Sequence, residues 1–249
     1  MSEVSIPEEG RGGSERVVVA IDGPAASGKS TTARLVAQHF GFLYLDTGAL
    51  YRAITLKGLQ RGVPAHDRAA LTQLVAETEV RLEAGAENGV RRVRMDGCDV
   101  SQEIRSPRVS KEVSAYSAAP VVRQRLVELQ RVMASEGSVV VEGRDIATVV
   151  FPDAPVKIFL VADLDARAER RFREQQAAGD DSQGLDEIRE GLAERDFVDS
   201  GRDHSPLRKA EDAIEIDTSG LSVEEQVERV IRACRARIGL AKPGECLPD

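Results

Sequence analysis

The sequence predicts an α/β protein in which a parallel sheet of five strands is flanked by helices. Two observations lead there. Apolar, β-rich runs recur at 17–21, 42–45, 138–141, 156–161 and 213–216, and they alternate with segments of helical periodicity such as 120–136, 165–177 and 222–239. Short buried strands separated by helices form parallel sheets, because each crossover helix returns along one face and covers it. A length of 249 residues and an apolar share of 41% suffice for one main domain with insertions and a substantial core.

In chain order, residues 1–15 are polar, acidic and glycine-containing, without the basic start and apolar stretch of a secretory signal, and read as a disordered tail. The run Val17-Val18-Val19-Ala20-Ile21 then leads into Gly23-Pro24-Ala25-Ala26-Ser27-Gly28-Lys29-Ser30. A strand entering a glycine-bounded loop that ends in Lys-Ser is a phosphate cradle. Gly23 and Gly28 let the backbone curl so that several N–H groups face one phosphate chain. Lys29 reaches the β and γ phosphates, Ser30 offers a hydroxyl to Mg²⁺, and the helix from Thr31 points its positive end at the same anion. The ligand implied is a nucleoside triphosphate held by residues 23–31.

After the second strand, Asp46 or Thr47 caps a further helix, from which Arg52 emerges one turn in. Taken alone, these residues also describe a well-capped helix with an exposed arginine. Between about 62 and 112 the pattern changes. A helix near 67–78 precedes the alternating stretches 80–83 and 90–95, separated by Gly85 through Gly89, as in a β-hairpin or small sheet inserted into the α/β core. Val139-Val140-Val141 leads to Glu142-Gly143-Arg144-Asp145, which puts Arg144 and Asp145 at the carboxyl end of a parallel strand, the edge where open α/β sheets bind ligands. An Arg-Asp salt bridge is the structural alternative. The stretch 174–206 is charged and poor in large apolar residues, and reads as a helical lid or as solvated surface decoration. Within it Arg195 and Asp199 stand four apart, on one helix face. Residues 241–249 read as a frayed tail.

The net charge of −8 argues against nonspecific duplex binding, and no apolar run approaches the roughly 18 residues of a membrane helix. The three cysteines, Cys98, Cys234 and Cys246, lack metal-ligand spacing, and His39, His66 and His204 are isolated. Reduced thiols in a cytoplasmic protein fit best. Neither a nucleic-acid polymer nor a membrane is expected as a partner.

The motifs together resemble bacterial cytidylate kinases of the nucleoside-monophosphate kinase superfamily, from about residue 16 to about 238. The resemblance is carried by Ile21-Asp22-Gly23-Pro24, by Leu45 through Arg52, by Glu142 through Asp145 with Thr148 through Ala154, by Lys157-Ile158-Phe159-Leu160, and by Arg195-Asp196, Asp199, Arg202 and Ser205-Pro206-Leu207. It implies a nucleoside-monophosphate kinase domain over 16–240, with a monophosphate-binding insert at about 62–112 and a lid at about 174–206. It further implies that Thr47, Arg52 and Arg144 hold the acceptor phosphate, with Arg202 joining on lid closure. By the same resemblance Ser114, Arg123 and Asp145 read cytosine, and Arg195 with Asp199 contacts the ribose. Arg167, Arg170 and Arg171 would lie near the donor nucleotide. The catalytic set is then Lys29, Arg144, Arg195 and Arg202. The chain departs from the family where it has Ala147 in place of a frequent glycine, and Val198 and Ser200 where some relatives carry further arginines.

The expected reaction moves the ATP γ-phosphoryl group to CMP or dCMP with Mg²⁺, in a monomer. Cytosine offers an amino donor that suits a carboxylate, whereas uracil turns an acceptor toward it. A kinase for UMP, AMP or a metabolite such as shikimate is the nearest rival. A nucleotide-dependent switch is the rival of another class, although no Asn-Lys-x-Asp guanine-reading tetrad occurs.

Overall fold

The computed structural model describes residues 16–83, 92–177, 179–202 and 205–239. Residues 1–15, residues 241–249 with Cys246, the stretch Gly85–Gly89 and His204 lie outside the described residues.

Five parallel strands form the central sheet: β1 (Val18–Asp22), β2 (Leu43–Asp46), β6 (Val139–Gly143), β7 (Val156–Val161) and β8 (Ile214–Asp217), in the order β2-β6-β1-β7-β8. All five expected strands are present, within a residue or two of their predicted bounds. Alternation along each strand divides the core. Val19, Ile21, Val140, Val156, Ile158 and Leu160 face α1 (Lys29–Phe40) and α8 (Val223–Ile238), which contribute Ala33, Val36, Val230, Ile231 and Cys234. Ala20, Leu45, Val139 and Val141 face the opposite side, against Ala134 and the segment from Ile146 to Ala154. These residues are almost wholly buried, so the sheet is covered on both faces around its centre.

A second core lies beside the sheet. Helices α2 (Thr47–Arg61), α3 (Arg68–Glu77), α4 (Pro107–Ala118) and α5 (Pro120–Ala134) pack with a three-stranded antiparallel sheet of β3 (Val80–Glu83), β4 (Arg92–Met95) and β5 (Cys98–Asp99). The helix expected near 67–78 and the inserted small sheet are both found. Helix α4 was not expected, because it is largely polar. Its buried residues Val109, Val113 and Tyr116 do recur at helical spacing, and Ser106 caps it ahead of Pro107 at the first helical position.

Helices α6 (Leu164–Ala177) and α7 (Leu185–Ser200) pack on one another and, through Ala168, Ile188 and Leu192, on Ala25 of the loop after β1. Between β6 and β7 the chain makes one wide helical turn, in which the N–H groups of Val150 and Phe151 reach back five residues to the carbonyls of Asp145 and Ile146. Arg131 of α5 donates to the carbonyls of Val149 and Val150 and ties that turn to the helix.

Candidate active site

The loop from Gly23 to Gly28 leaves β1 at the carboxyl edge of the sheet. Its glycines are required by geometry. Gly23 has φ +152°, and a Cβ there would sit 2.2 Å from the Leu160 carbonyl oxygen. Gly28 has φ +86°, with the Gln226 side chain 2.6 Å from where a Cβ would be. Lys29, buried, folds back over the loop and donates to the Pro24 carbonyl at 2.5 Å and to Ser27 Oγ at 3.3 Å. Burial pushes its ammonium pKa well down, and the neighbouring Arg144 and Arg195 push the same way.

Glu142, next to last in β6, ties the loop to its surroundings. Its carboxylate accepts from Ser30 Oγ at 2.9 Å and from the Tyr44 hydroxyl at 2.5 Å, while its backbone carbonyl accepts from Thr47 Oγ1 at 2.7 Å. Burial raises its pKa, with Asp46 adding to the effect. Asp22, the last residue of β1, accepts the N–H groups of Ile146 and Ala147 at 2.9 and 2.8 Å. Burial lifts its pKa to about 7 despite those two bonds. The Ala147 departure therefore falls on a residue whose N–H is held by Asp22.

Asp46, not Thr47, caps α2: its Oδ1 accepts from the Ala49 N–H at 3.0 Å. The Thr47 hydroxyl is left for Glu142. Arg52 donates to the Ile104 carbonyl at 3.1 Å and to Ser110 Oγ at 2.8 Å, and burial brings its pKa down to about 10. Arg105 adds a further cation at this edge, with Nη2 3.4 Å from Asp46 Oδ2.

Arg144 and Asp145 do not pair with each other. Arg144 Nε donates to Asp199 Oδ2 at 2.9 Å, Arg202 Nη2 reaches Asp199 Oδ1 at 2.5 Å, and Arg195 Nε stands 3.9 Å from Asp199 Oδ2. Ser114 Oγ is 3.4 Å from the same carboxylate. Burial pushes the Asp199 pKa up, but Arg144, Arg202 and Arg195 together outweigh it and hold the group below the usual carboxylate range. Burial, with Arg144 nearby, brings Arg195 down to about 9. One carboxylate thus faces three guanidinium groups, leaving two positive charges in excess, and an anion suits such a site.

Asp145 pairs instead with Arg123 of α5, both buried, and Arg123 also lies over the Tyr51 ring, 5.6 Å from its centroid. Burial raises the Asp145 pKa even so. Ser114, which the resemblance groups with Arg123 and Asp145, contacts Asp199.

Of the α6 arginines, Arg167 pairs with Asp196 of α7 at 2.6 Å and donates to the carbonyls of Ala25 and Ala162 at 3.2 and 3.0 Å, bracing the loop. Arg170 binds Thr218, whose hydroxyl in turn contacts the Ser27 carbonyl at 3.2 Å, so it touches the loop through one intermediary. Arg171 pairs with Glu174 on the surface.

Sequence reasoning assigned no role to Asp22, Tyr44, Arg105 or Gln226. The position of Asp22 at a strand end ahead of the loop was the available signal; the others have none short of the fold. Among the described residues no three His, Cys, Asp or Glu side chains gather as a metal cluster, and no helix is long and apolar enough to cross a membrane. The oxygens at the loop mouth, the Ser30 hydroxyl and the Glu142 carboxylate, form a sparse hard-donor set of the sort Mg²⁺ takes alongside phosphate and water.

Comparisons with known proteins identify the family. The cytidylate kinase family model matches residues 19–236. A cytidylate kinase of Pelotomaculum thermopropionicum is 52% identical over 216 residues, covering 86% of this chain and 93% of that one. One from Bacillus pumilus is 47% identical, with 88% and 96% covered. Among solved structures, a shikimate kinase from Bacteroides thetaiotaomicron overlaps at a TM-score of 0.46 and 12% identity, covering 90% of this chain and 99% of that one. A family match over residues 19–236, and relatives 52% and 47% identical over most of their own length, lead to one conclusion: the chain belongs to the cytidylate kinase family.

Proposed function

We propose that this site transfers the γ-phosphoryl group of ATP to the 5′-phosphate of CMP or dCMP, yielding ADP and CDP or dCDP. The observation that carries the reading is the convergence of Arg144, Arg195 and Arg202 on Asp199, beside the loop that buries Lys29. Transfer between two phosphates brings two polyanions together, and the main demand on the protein is charge compensation and alignment.

Residues 23–31 hold the triphosphate through backbone N–H groups, and Lys29 exchanges its contact with the Pro24 carbonyl for the β and γ oxygens. Thr47, Arg52 and Arg144 hold the acceptor phosphate. Its oxygen is already anionic, so it attacks without a general base and no covalent enzyme intermediate forms. Arg195 and Arg202, carried on and just after α7, complete the charge balance when the segment 174–206 closes as a lid and excludes water. Asp145 accepts from the cytosine amino group, Arg123 donates to the ring acceptors, and Ser114 lines the same pocket. Arg170 acts on the donor side through Thr218.

Ser30 and Glu142 would hold Mg²⁺ at the loop mouth. When bound, the ion neutralises charge shared by the β and γ phosphates. We further read the chain as a cytoplasmic monomer; among the described residues Cys98 and Cys234 are free thiols, which suits a reducing compartment.

The test is ADP formation by purified protein with ATP and Mg²⁺, given CMP, dCMP, UMP, AMP or no acceptor. Turnover confined to CMP and dCMP is expected. Equal turnover of UMP or AMP would overturn the cytosine pocket, and the absence of any acceptor-stimulated turnover would overturn the kinase reading itself.

A further inference from the structure

Strands β2 and β6 run parallel with Tyr44 opposite Val140 and Asp46 opposite Glu142. Tyr44 and Glu142 are therefore diagonal neighbours on one face of the sheet, the face that α1 covers. Ser30, in the first turn of α1, meets the same carboxylate. Glu142 is buried, and each oxygen of its carboxylate accepts from one hydroxyl: Oε1 from Tyr44 and Oε2 from Ser30. A buried carboxylate free to turn about its last bond has no fixed lone-pair direction. With Oε1 held by a phenol, Oε2 is kept at the mouth of the phosphate loop.

We propose that Tyr44 is a positioning residue for the metal-nucleotide end of the site, acting through Glu142 to aim the carboxylate at the cation beside Ser30. The inference rests on the phosphoryl-transfer reading above. Tyr44 also packs at the margin of the core formed by α1, α8 and the sheet. A phenylalanine keeps that packing and deletes only the hydroxyl.

The experiment is calorimetric titration of wild-type protein and Tyr44→Phe with ADP, at a series of free Mg²⁺ concentrations and in EDTA. Tyr44→Phe is expected to require roughly 10-fold more Mg²⁺ for half of the metal-dependent gain in ADP affinity. Its ADP affinity in EDTA and its CMP affinity should match the wild type. Thermal melts of both proteins report any loss of packing separately, and a loss of packing alone would weaken ADP in EDTA as well. An unchanged Mg²⁺ midpoint, or equal weakening with and without Mg²⁺, overturns the role of Tyr44 and leaves the kinase reading intact. A wild type whose ADP affinity ignores Mg²⁺ overturns this inference together with the assignment of Ser30 and Glu142, whereas failure of the acceptor panel is seen in turnover alone.

Discussion

Arg144 at the end of β6 and Asp199 near the end of α7, 55 residues apart in sequence, meet at 2.9 Å. This contact joins the sheet edge to the helix that carries Arg195, and with Arg202 it gathers three guanidinium groups on one carboxylate that is 1% exposed. Removing the carboxylate strands the arginines. Asp199→Asn is expected to lose about 3 kcal/mol of stability in urea melts. Inorganic phosphate should raise the melting temperature of this variant more than that of the wild type, since an external anion then takes the place of Asp199. Equal shifts would show that the arginines do not share an anion site.

Lys29 and Arg144 supply charge at the reacting phosphates on the reading proposed here. Lys29→Met and Arg144→Ala should each fold and lose roughly 10²- to 10³-fold in kcat, measured by coupled ADP production. Wild-type turnover in either variant would remove that residue from the catalytic set.

Asp145 should discriminate against uracil, because two acceptors facing each other in a buried pocket leave both unsatisfied. In Asp145→Asn the amide can offer a donor to uracil. The ratio of kcat/KM for CMP over UMP is expected to fall about 10- to 100-fold. An unchanged ratio would place base recognition elsewhere.

Asp22 makes stability depend on pH. Its folded-state pKa is about 7, raised from 3.8 by burial. Between these values the folded protein holds a proton that the unfolded chain has released, so this group's contribution to stability declines as pH rises from about 4 to 7 and is level outside that window. A shift of this size corresponds to a contribution on the order of 4 kcal/mol. Asp199, held low, works in the opposite direction, losing stability as pH falls through the acid range. Comparing urea melts of wild type and Asp22→Asn isolates the Asp22 part: the stability difference between them should change across pH 4–7, and a constant difference would sink the assignment.

The two glycines of the loop should differ in their tolerance of a side chain. A Cβ at Gly23 meets the backbone oxygen of Leu160 at 2.2 Å, whereas one at Gly28 meets the end of the flexible Gln226 side chain at 2.6 Å. Gly23→Ala is expected to cost about 3 kcal/mol and Gly28→Ala about 1 to 2 kcal/mol, read from thermal melts. The reverse order would mean that the loop, not its packing against β7, sets the cost.

Local patterns carried most of the architecture. Val18–Asp22 and Val156–Val161 were legible because a buried strand shows itself in a handful of adjacent residues, and Gly23 through Ser30 was legible because a phosphate loop is contiguous. Helix α4 escaped because only Val109, Val113 and Tyr116 mark its buried face among polar residues. In Arg144-Asp145, adjacency suggested a pair that the fold separates: Arg144 goes to Asp199 and Asp145 to Arg123.

By itself the sequence determined the α/β alternation, the phosphate loop and which ionisable residues were available, since these depend on periodicity and on bonds between neighbours along the chain. Only the tertiary structure decided which carboxylate each arginine faces, that Asp22 holds the turn after Asp145, and that Tyr44 and Ser30 share Glu142. The contacts of Asp22 and Glu142 arise because the sheet places β6 between β1 and β2, and the Arg144–Asp199 contact because α7 returns to the end of β6, so that groups distant in sequence are desolvated together. A buried charge must find its partner within a few ångströms, and chain order does not record that distance.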